Sequence, residues 1–448
     1  MYSLSRKYEF ESYHEYLSPG YTPDLESSII AVFRVMPAEG FRVEEVASGI
    51  GAESSTGTWT TLYPWYDVER VKRLSAKVYE IRDLGDGSYV VKVAYPIDLF
   101  EEGNMPAFLA SVAGNIFGMR RAAGLRLEDI YLPREFLKYF KGPSKGVKGV
   151  REIFRVHDRP IVGTVPKPKE GYTPEEIEKL AYEILSGGMD YIKDDENLAS
   201  PKFCRFEERA KVIMKIIERV EKETGERKAW FANITADIRE MEKRLKVVAD
   251  YGNPYVMVDV VIVGWSALSY IRDLAEEYGL AIHAHRAMHA ALTRNKYHGV
   301  SMYVLAKLYR VIGVDQIHVG TAGAGKLEGE KLDVVRYANM LRAEHFKPDP
   351  DDEFHLEQPM YHIKPTMPVS SGGLHPGTLP LVIEALGTDL VIQIGGGVIG
   401  HPDGPRAGAI AVRQALEAIS RGIPLEEHAK THRELARALE KWGTTKPI

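Results

Sequence analysis

The sequence predicts an α/β fold: a C-terminal (β/α)8 TIM barrel preceded by a smaller α+β N-terminal domain. From Ile161 onward, short apolar runs alternate strictly with amphipathic helical stretches. Candidate strands begin near Ile161, Met189, Ala229, Tyr255, Leu280, Asp315, Thr366 and Asp389, which makes eight β-then-α units. Eight such units favour a closed parallel barrel over an open doubly wound sheet. No Gly-x-Gly-x-x-Gly follows the first strand to support a dinucleotide fold.

At 448 residues the chain exceeds one ordinary core, and the pattern divides it into an α+β domain at 1–140 and a barrel at 141–448 with a C-terminal helical tail. In the first part, Ile29 to Met36 reads as a strand. Val78 to Ile81 and Ser88 to Tyr95 read as a hairpin around Gly85-Asp86-Gly87. Ala107 to Gly118 has helical apolar spacing, and the glycine-rich stretch Gly142 to Gly149 reads as a linker or hinge. After the first barrel strand, Thr173 caps a helix with Pro174 at its first position and Glu176 completing a capping box. The stretch from Lys347 to Lys364, before the seventh strand, reads as a surface excursion or an assembly contact.

Composition narrows the class. The hydrophobic share of 44% and charged share of 27% are those of a soluble globular protein. A net charge of −5 without a long Lys/Arg run speaks against nucleic acid as a partner. Cys204 is the only cysteine, which excludes an intrachain disulfide or a Cys-based zinc site and fits a reducing compartment. With no run of about 18 apolar residues, the expectation is a cytoplasmic enzyme without a membrane partner.

A barrel places reactive residues where strands end and loops begin. Unusual polar residues recur there: Lys167 and Lys169 after the first strand, Lys193 to Glu196 after the second, and Asn233 and Thr235 after the third. His285 and Arg286 follow the fifth strand, His318 the sixth, Ser371 to Gly373 the seventh and Gly395 to Gly397 the eighth. Lys193-Asp194-Asp195-Glu196 reads either as a solvated charge run or as a hard-cation site, since Mg²⁺ takes carboxylate oxygens. Strand alternation puts Lys193 and Asp195 on one side. An ammonium there repels a metal, unless the amine reacts with CO₂ to give an anionic carbamate. Burial lowers a lysine pKa and aids that reaction, adjacent acids oppose it, and the sequence leaves the balance open.

The other clusters also carry two readings. Lys167 and Lys169 flank Pro168 as surface lysines or as proton-transfer groups. The guanidinium of Arg286, with His318, suits a phosphate, while His289 reads equally as structural. Gly372-Gly373 and Gly395-Gly396 make tight turns or present backbone N–H groups to phosphate, at the usual barrel position for it. Gly320 to Gly329 reads as a mobile lid with Lys326 near its tip, or as a flexible linker.

The run Gly187-Gly188-Met189-Asp190-Tyr191-Ile192-Lys193-Asp194-Asp195-Glu196 resembles the activation motif of ribulose-1,5-bisphosphate carboxylase/oxygenase (RuBisCO) large subunits. The resemblance spans nearly the whole chain. It includes Glu53 to Trp59, Gly114-Asn115, Lys167-Pro168-Lys169, His285 to His289, Ser371-Gly372-Gly373, Gly395-Gly396-Gly397 and Gly400-His401-Pro402, and is strongest to the archaeal form III branch.

The resemblance implies carboxylation and oxygenation of ribulose 1,5-bisphosphate to 3-phosphoglycerate, through a Mg²⁺-bound enediolate. Carbamylated Lys193, Asp195 and Glu196 would be the metal ligands. It implies Lys167, supported by Lys169, as the acid for the product carbanion, His285 as a proton shuttle, and Lys326 as the group on the incoming carboxylate. Arg286, His318 and Ser371 would serve one phosphate; Thr58, Trp59, Gly373, Gly395, Gly396 and Lys326 would serve the other, with Gly372 beside them. Glu53 and Asn115 would reach the barrel of a partner subunit in a homodimer with shared sites, with no small subunit expected. The chain departs in a lid one residue longer than in plant enzymes and in Val165 at the place of a threonine. Two other readings are a RuBisCO-like enolase or isomerase of sulfur salvage, and a silent sugar-phosphate-binding scaffold.

Overall fold

The computed structural model describes residues 13–325 and 330–444. The chain divides into two compact units. One holds the residues up to Lys141 together with Met288–Val311 and Glu344–Ile363; the other holds Gly142–Ala287, Ile312–Ala343 and the remainder from Lys364.

The first unit is built on a mixed sheet of β1 (Ser28–Pro37), β2 (Lys77–Asp83), β3 (Tyr89–Pro96), β4 (Ala122–Tyr131) and β10 (Gly299–Val300), in the order β10-β4-β1-β3-β2. The expected first strand and hairpin are present. Gly85 and Gly87 take φ of +75° and +82° at the turn, which glycine adopts without steric cost. Strand β4 escapes the sequence pattern because Asp129 lies in it fully buried, ion-paired with the equally buried Lys307. The helix expected over Ala107–Gly118 is realised as Met105–Val112, capped by the Asn104 side chain, followed by a 3-10 turn at Asn115–Gly118.

The stretch before the seventh barrel strand is an integral part of this unit. It carries the short pair β12 (His345–Phe346) and β13 (Gln358–Pro359). The Leu356 amide donates to Asp129 Oδ2 at 2.8 Å, and Gln358 bonds both the amide and the carbonyl of Leu132, at 2.8 and 2.9 Å.

The second unit is a closed eight-stranded parallel barrel. Its strands are β5 (Ile161–Thr164), β6 (Tyr191–Lys193), β7 (Ala229–Asn233), β8 (Tyr255–Asp259), β9 (Ala281–His285), β11 (Gln316–His318), β14 (Met367–Ser371) and β15 (Val391–Gln393). All eight expected strands are there. The helix Pro174–Ser186 has the Thr173–Glu176 capping box.

Aromatic side chains fill the interior. Tyr191 and Phe231 stack at 4.0 Å between centroids, and Phe231 lies 4.4 Å from Tyr255. Gly163 makes room for this layer, since a Cβ there would lie 2.5 Å from the Tyr191 ring. The stretch read as a hinge is instead partly helical: Gly146–Phe154 is a helix whose Val150 and Phe154 join the barrel core. Its start is fixed because Asp315 Oδ1 accepts the amides of Lys145 and Gly146 at 2.7 and 2.9 Å. Asp190 does similar work before β6, accepting Arg159 at 2.6 and 2.8 Å and the Val162 amide at 2.9 Å. Acids preceding the strands thus hold the barrel together and leave the strand ends to chemistry.

Candidate active site

The strand β6 ends in the Lys-Asp-Asp-Glu run, and alternation sorts its members. Asp194 turns away from the barrel axis into a closed network. Its carboxylate accepts Arg209 Nη2 at 3.1 Å, Trp230 Nε1 at 3.0 Å and the Asn233 amide at 3.0 Å. Lys193 and Asp195 are both fully buried. Lys193 Nζ donates to the Asp194 carbonyl at 2.7 Å. The balance left open by the sequence falls to burial, which pushes the Lys193 pKa below the ordinary lysine value although Glu196, Asp259, Asp195 and Asp194 oppose it.

From the loop after the neighbouring strand β5, Lys167 Nζ reaches Asp195 Oδ2 at 2.8 Å. Lys169 Nζ lies 2.8 Å from Glu196 Oε1 and 3.8 Å from Asp195 Oδ1, so the two carboxylates already converge on one cation. The hydrogen bond to Glu196 raises the Lys169 pKa. Burial works against ionisation of Glu196, but the charges of His285 and Lys193 and the Lys169 bond outweigh it and hold its carboxyl well below the usual range. Asn233 Nδ2, at the end of β7, donates to the Asp195 and Glu196 carbonyls at 3.3 and 3.2 Å and shapes the turn.

Two functional-looking residues here escape the sequence reading. Asp259 closes β8, and its Oδ1 lies 2.8 Å from His285 Nδ1, whose Nε2 stands 3.7 Å from Glu196 Oε2. His283, two positions before His285 in β9, starts a buried chain: Gln316 Oε1 lies 2.9 Å from its Nδ1, and His318 Nε2 lies 3.0 Å from its Nε2. His318 Nδ1 then faces Ser371 Oγ at 2.7 Å. Burial first, then neighbouring positive charge, pushes both imidazoles well below their ordinary pKa, so both are neutral at pH 7. Gln316 Nε2 donates to the Tyr255 hydroxyl at 2.8 Å, which leaves its Oε1 as acceptor and sets the direction of the chain. His283 Nδ1 donates to Gln316, His318 Nε2 donates to His283, and Ser371 donates to His318. A period-two repeat of histidine in β9 was the available signal for His283.

Arg286 follows β9, and Gly372 and Gly373 follow β14 with φ of +117° and +76°, a backbone that side-chain-bearing residues rarely adopt. Gly395 and Gly396 follow β15. A Cβ on Gly395 would come within 3.2 Å of Lys167 Cε, so this glycine turn lies against the lysine that follows β5. Glu53, Thr58, Trp59 and Asn115 belong to the first unit. Glu53 ends helix Val43–Glu53 and accepts the Tyr13 hydroxyl at 2.5 Å, and Trp59 is 63% exposed. Lys326 lies outside the described residues.

The chain is similar to known proteins over nearly its whole length. Residues 146–442 match the ribulose bisphosphate carboxylase large chain catalytic domain, and residues 15–136 match the N-terminal domain of the same chain. The chain belongs to the ribulose bisphosphate carboxylase large-chain family. A ribulose bisphosphate carboxylase of Archaeoglobus fulgidus is 68% identical over 98% of this chain and 100% of that protein. A crystal structure of an archaeal RuBisCO superposes with a TM-score of 0.93 at 64% identity, covering 96% of this chain and 100% of the other. The dimeric archaeal RuBisCO of Hyperthermus butylicus gives 0.92 at 57%, covering 97% and 100%. The family places this chain among the carbon dioxide-fixing enzymes with an archaeal form III-type sequence. No helix among the described residues is long and apolar enough to cross a membrane.

Proposed function

We propose that the barrel mouth carboxylates, and in competition oxygenates, D-ribulose 1,5-bisphosphate, with Lys193 as the residue that takes up CO₂ as a carbamate. The observation that carries this is a fully buried lysine with a lowered pKa set among carboxylates. A buried amine in its neutral form is a nucleophile toward CO₂, and the carbamate would turn the one repulsive member of the cluster into an oxygen ligand.

The donor set then fits a hard cation: the Lys193 carbamate, Asp195 and Glu196 would hold Mg²⁺. Two of these groups already share the Lys169 ammonium. When bound, the cation supplies Lewis-acid polarisation of the substrate oxygens.

The chain's own residues do the rest. Lys167, beside Asp195, delivers the proton to the product carbanion, while Lys169, held protonated by Glu196, contributes positive charge. Asp259 fixes the ring of His285, which moves protons at the reacting carbons. Arg286 and His318 serve one phosphate, and Gly373, Gly395 and Gly396, with Gly372 beside them, serve the other with Thr58, Trp59 and Lys326. Because Ser371 commits its hydrogen to His318, its oxygen faces substrate as an acceptor, which suits a sugar hydroxyl better than a phosphate. Glu53 and Asn115 complete the site of a second copy in a homodimer; the dimeric state of an archaeal relative supports this.

The test is ribulose 1,5-bisphosphate-dependent fixation of labelled CO₂ into acid-stable product. Two 3-phosphoglycerates per substrate, abolished in Lys193→Met, is the expected result. Enolisation without label incorporation by the wild type would point instead to the sulfur-salvage reading, and no turnover at all to a silent scaffold.

A further inference from the structure

Away from the barrel mouth, the C-terminal helices bring three metal-ligating side chains together. Glu417 lies on helix Pro405–Ser420, His428 ends the helical turn Leu425–His428, and His432 immediately precedes helix Arg433–Trp442. One ligand atom from each lies within 4.8 Å of the other two.

The state of each group points to a ligand. His428 is only 5% exposed, yet its Nε2 has no hydrogen-bond partner. Glu417 Oε2 stands 3.9 Å from that nitrogen, beyond hydrogen-bond reach. His432 Nδ1 lies 2.8 Å from the His428 carbonyl oxygen, with Thr431 Oγ1 at 3.0 Å from the same nitrogen. A carbonyl only accepts, so Nδ1 carries the hydrogen and Nε2 of the neutral ring keeps its lone pair. Metal-ligating histidines are held in this way, with the second ring nitrogen donating to a backbone carbonyl. The other oxygen of Glu417 is engaged by Arg421 Nη2 at 2.7 Å; that arginine is 61% exposed and free to swing aside.

We propose that Glu417, His428 and His432 form a second metal site, selective for a borderline transition ion such as Zn²⁺ over Mg²⁺. Two imidazole nitrogens and one carboxylate are a zinc donor set, whereas Mg²⁺ takes oxygen ligands. Bonds of about 2.0–2.1 Å to a tetrahedral ion place ligand atoms about 3.3 Å apart. Reaching that spacing from the present 3.9 Å between His428 and Glu417 requires rotation of the side chains. The two rings stack at 3.6 Å and 17°, and binding tilts them apart so that the in-plane Nε2 lone pair of each points at the ion. Water takes the fourth position. The ion joins three segments that are consecutive in sequence. It fastens helix Arg433–Trp442, which already contacts helix Pro405–Ser420 through the Gln414–Glu434 bond at 2.7 Å.

The experiment uses the full-length protein stripped with chelator, then titrated with Zn²⁺ in the presence of excess Mg²⁺, and crystals soaked in Zn²⁺ for anomalous diffraction at the zinc edge. An anomalous peak among Glu417, His428 and His432 is expected, with Zn²⁺ affinity weakened at least tenfold in His432→Ala and in Glu417→Gln. Carboxylation in Mg²⁺ should stay at the wild-type rate in both variants. If His432→Ala fails to fold, Glu417→Gln, at a partly exposed position, gives the same reading. Absence of an anomalous peak at these residues, or unchanged Zn²⁺ affinity in a folded variant, overturns the proposal.

Discussion

The Lys-Asp-Asp-Glu run contains two adjacent aspartates with opposite tasks, and substitution separates them. Asp194→Ala removes the carboxylate that faces Arg209, a side chain with no solvent exposure. Leaving such a charge without its partner costs about 3–5 kcal/mol. The orphaned Trp230 Nε1 and Asn233 amide add roughly 1–3 kcal/mol each. Arg209 keeps its bonds to the carbonyls of Ala199 and Cys204, at 2.7 and 3.0 Å, so the low end applies and about 5 kcal/mol is a fair total. An unfolding entropy of about 2.1 cal/mol/K per residue over 448 residues is about 0.9 kcal/mol/K. The expected fall in Tm is therefore about 5 °C, more if the barrel unfolds alone. Asp195→Asn removes a buried charge, but its two lysine partners are 32% and 52% exposed and can turn to water, so it should lower Tm by less than Asp194→Ala does and abolish activation by CO₂ and Mg²⁺. Calorimetry and activation assays on both variants decide the matter. An Asp194→Ala protein that melts with the wild type, or an Asp195→Asn protein that activates normally, would refute this division of labour.

Further expectations follow from the same geometry. Because burial lowers the Lys193 pKa, its neutral amine is present at lower pH than that of an exposed lysine near 10.4. The rate of activation by CO₂ should rise with pH and level off below that value; a midpoint at or above it would contradict the burial argument. Asp259→Asn should lower kcat by about 10²-fold or more, with KM little changed, because the ring of His285 loses its orientation; an equal loss in KM alone would assign Asp259 to substrate binding. Lys326→Ala should retain exchange of the substrate C3 proton while carboxylation collapses, and equal loss of both would remove its role on the incoming carboxylate. Co-expressed Glu53→Ala and Lys193→Ala chains should recover about a quarter of wild-type activity, since random pairing makes about half the dimers mixed, each with one intact site; a mixed dimer as inactive as its parents would place the whole site in one chain.

The barrel was legible in the sequence because its strands are buried on both faces and read as short apolar runs between well-capped helices. The same signal failed where burial and polarity coincide. Strand β4 carries Asp129 into the core, neutralised by Lys307 from 178 positions away, a pairing no local pattern contains. Asp259 was missed because helix Val260–Glu277 begins on the next residue, so no turn marks the strand end. Gly142 to Gly149 has a hinge's composition, but Asp315 anchors two of its amides and nucleates a helix there. For the site, the strand-end rule points to residues at the ends of β5, β6 and β9 that the fold brings within 4 Å of one another. Alternation along the strand already sets Asp195 beside Lys193 and apart from Asp194, but the buried Arg209 that holds Asp194, and the His283–His318–Ser371 relay assembled across three strands, lie beyond any local pattern.

The claim on which the account rests is that Lys193, its pKa lowered by burial, is the lysine that takes up CO₂. Incubation with ¹³CO₂ and Mg²⁺, chemical trapping of carbamates and peptide mass spectrometry measure this directly. The label should appear on Lys193 in proportion to recovered activity, and not on Lys167 or Lys169. Full activity with Lys193 unlabelled, or with the label on another lysine, would contradict it.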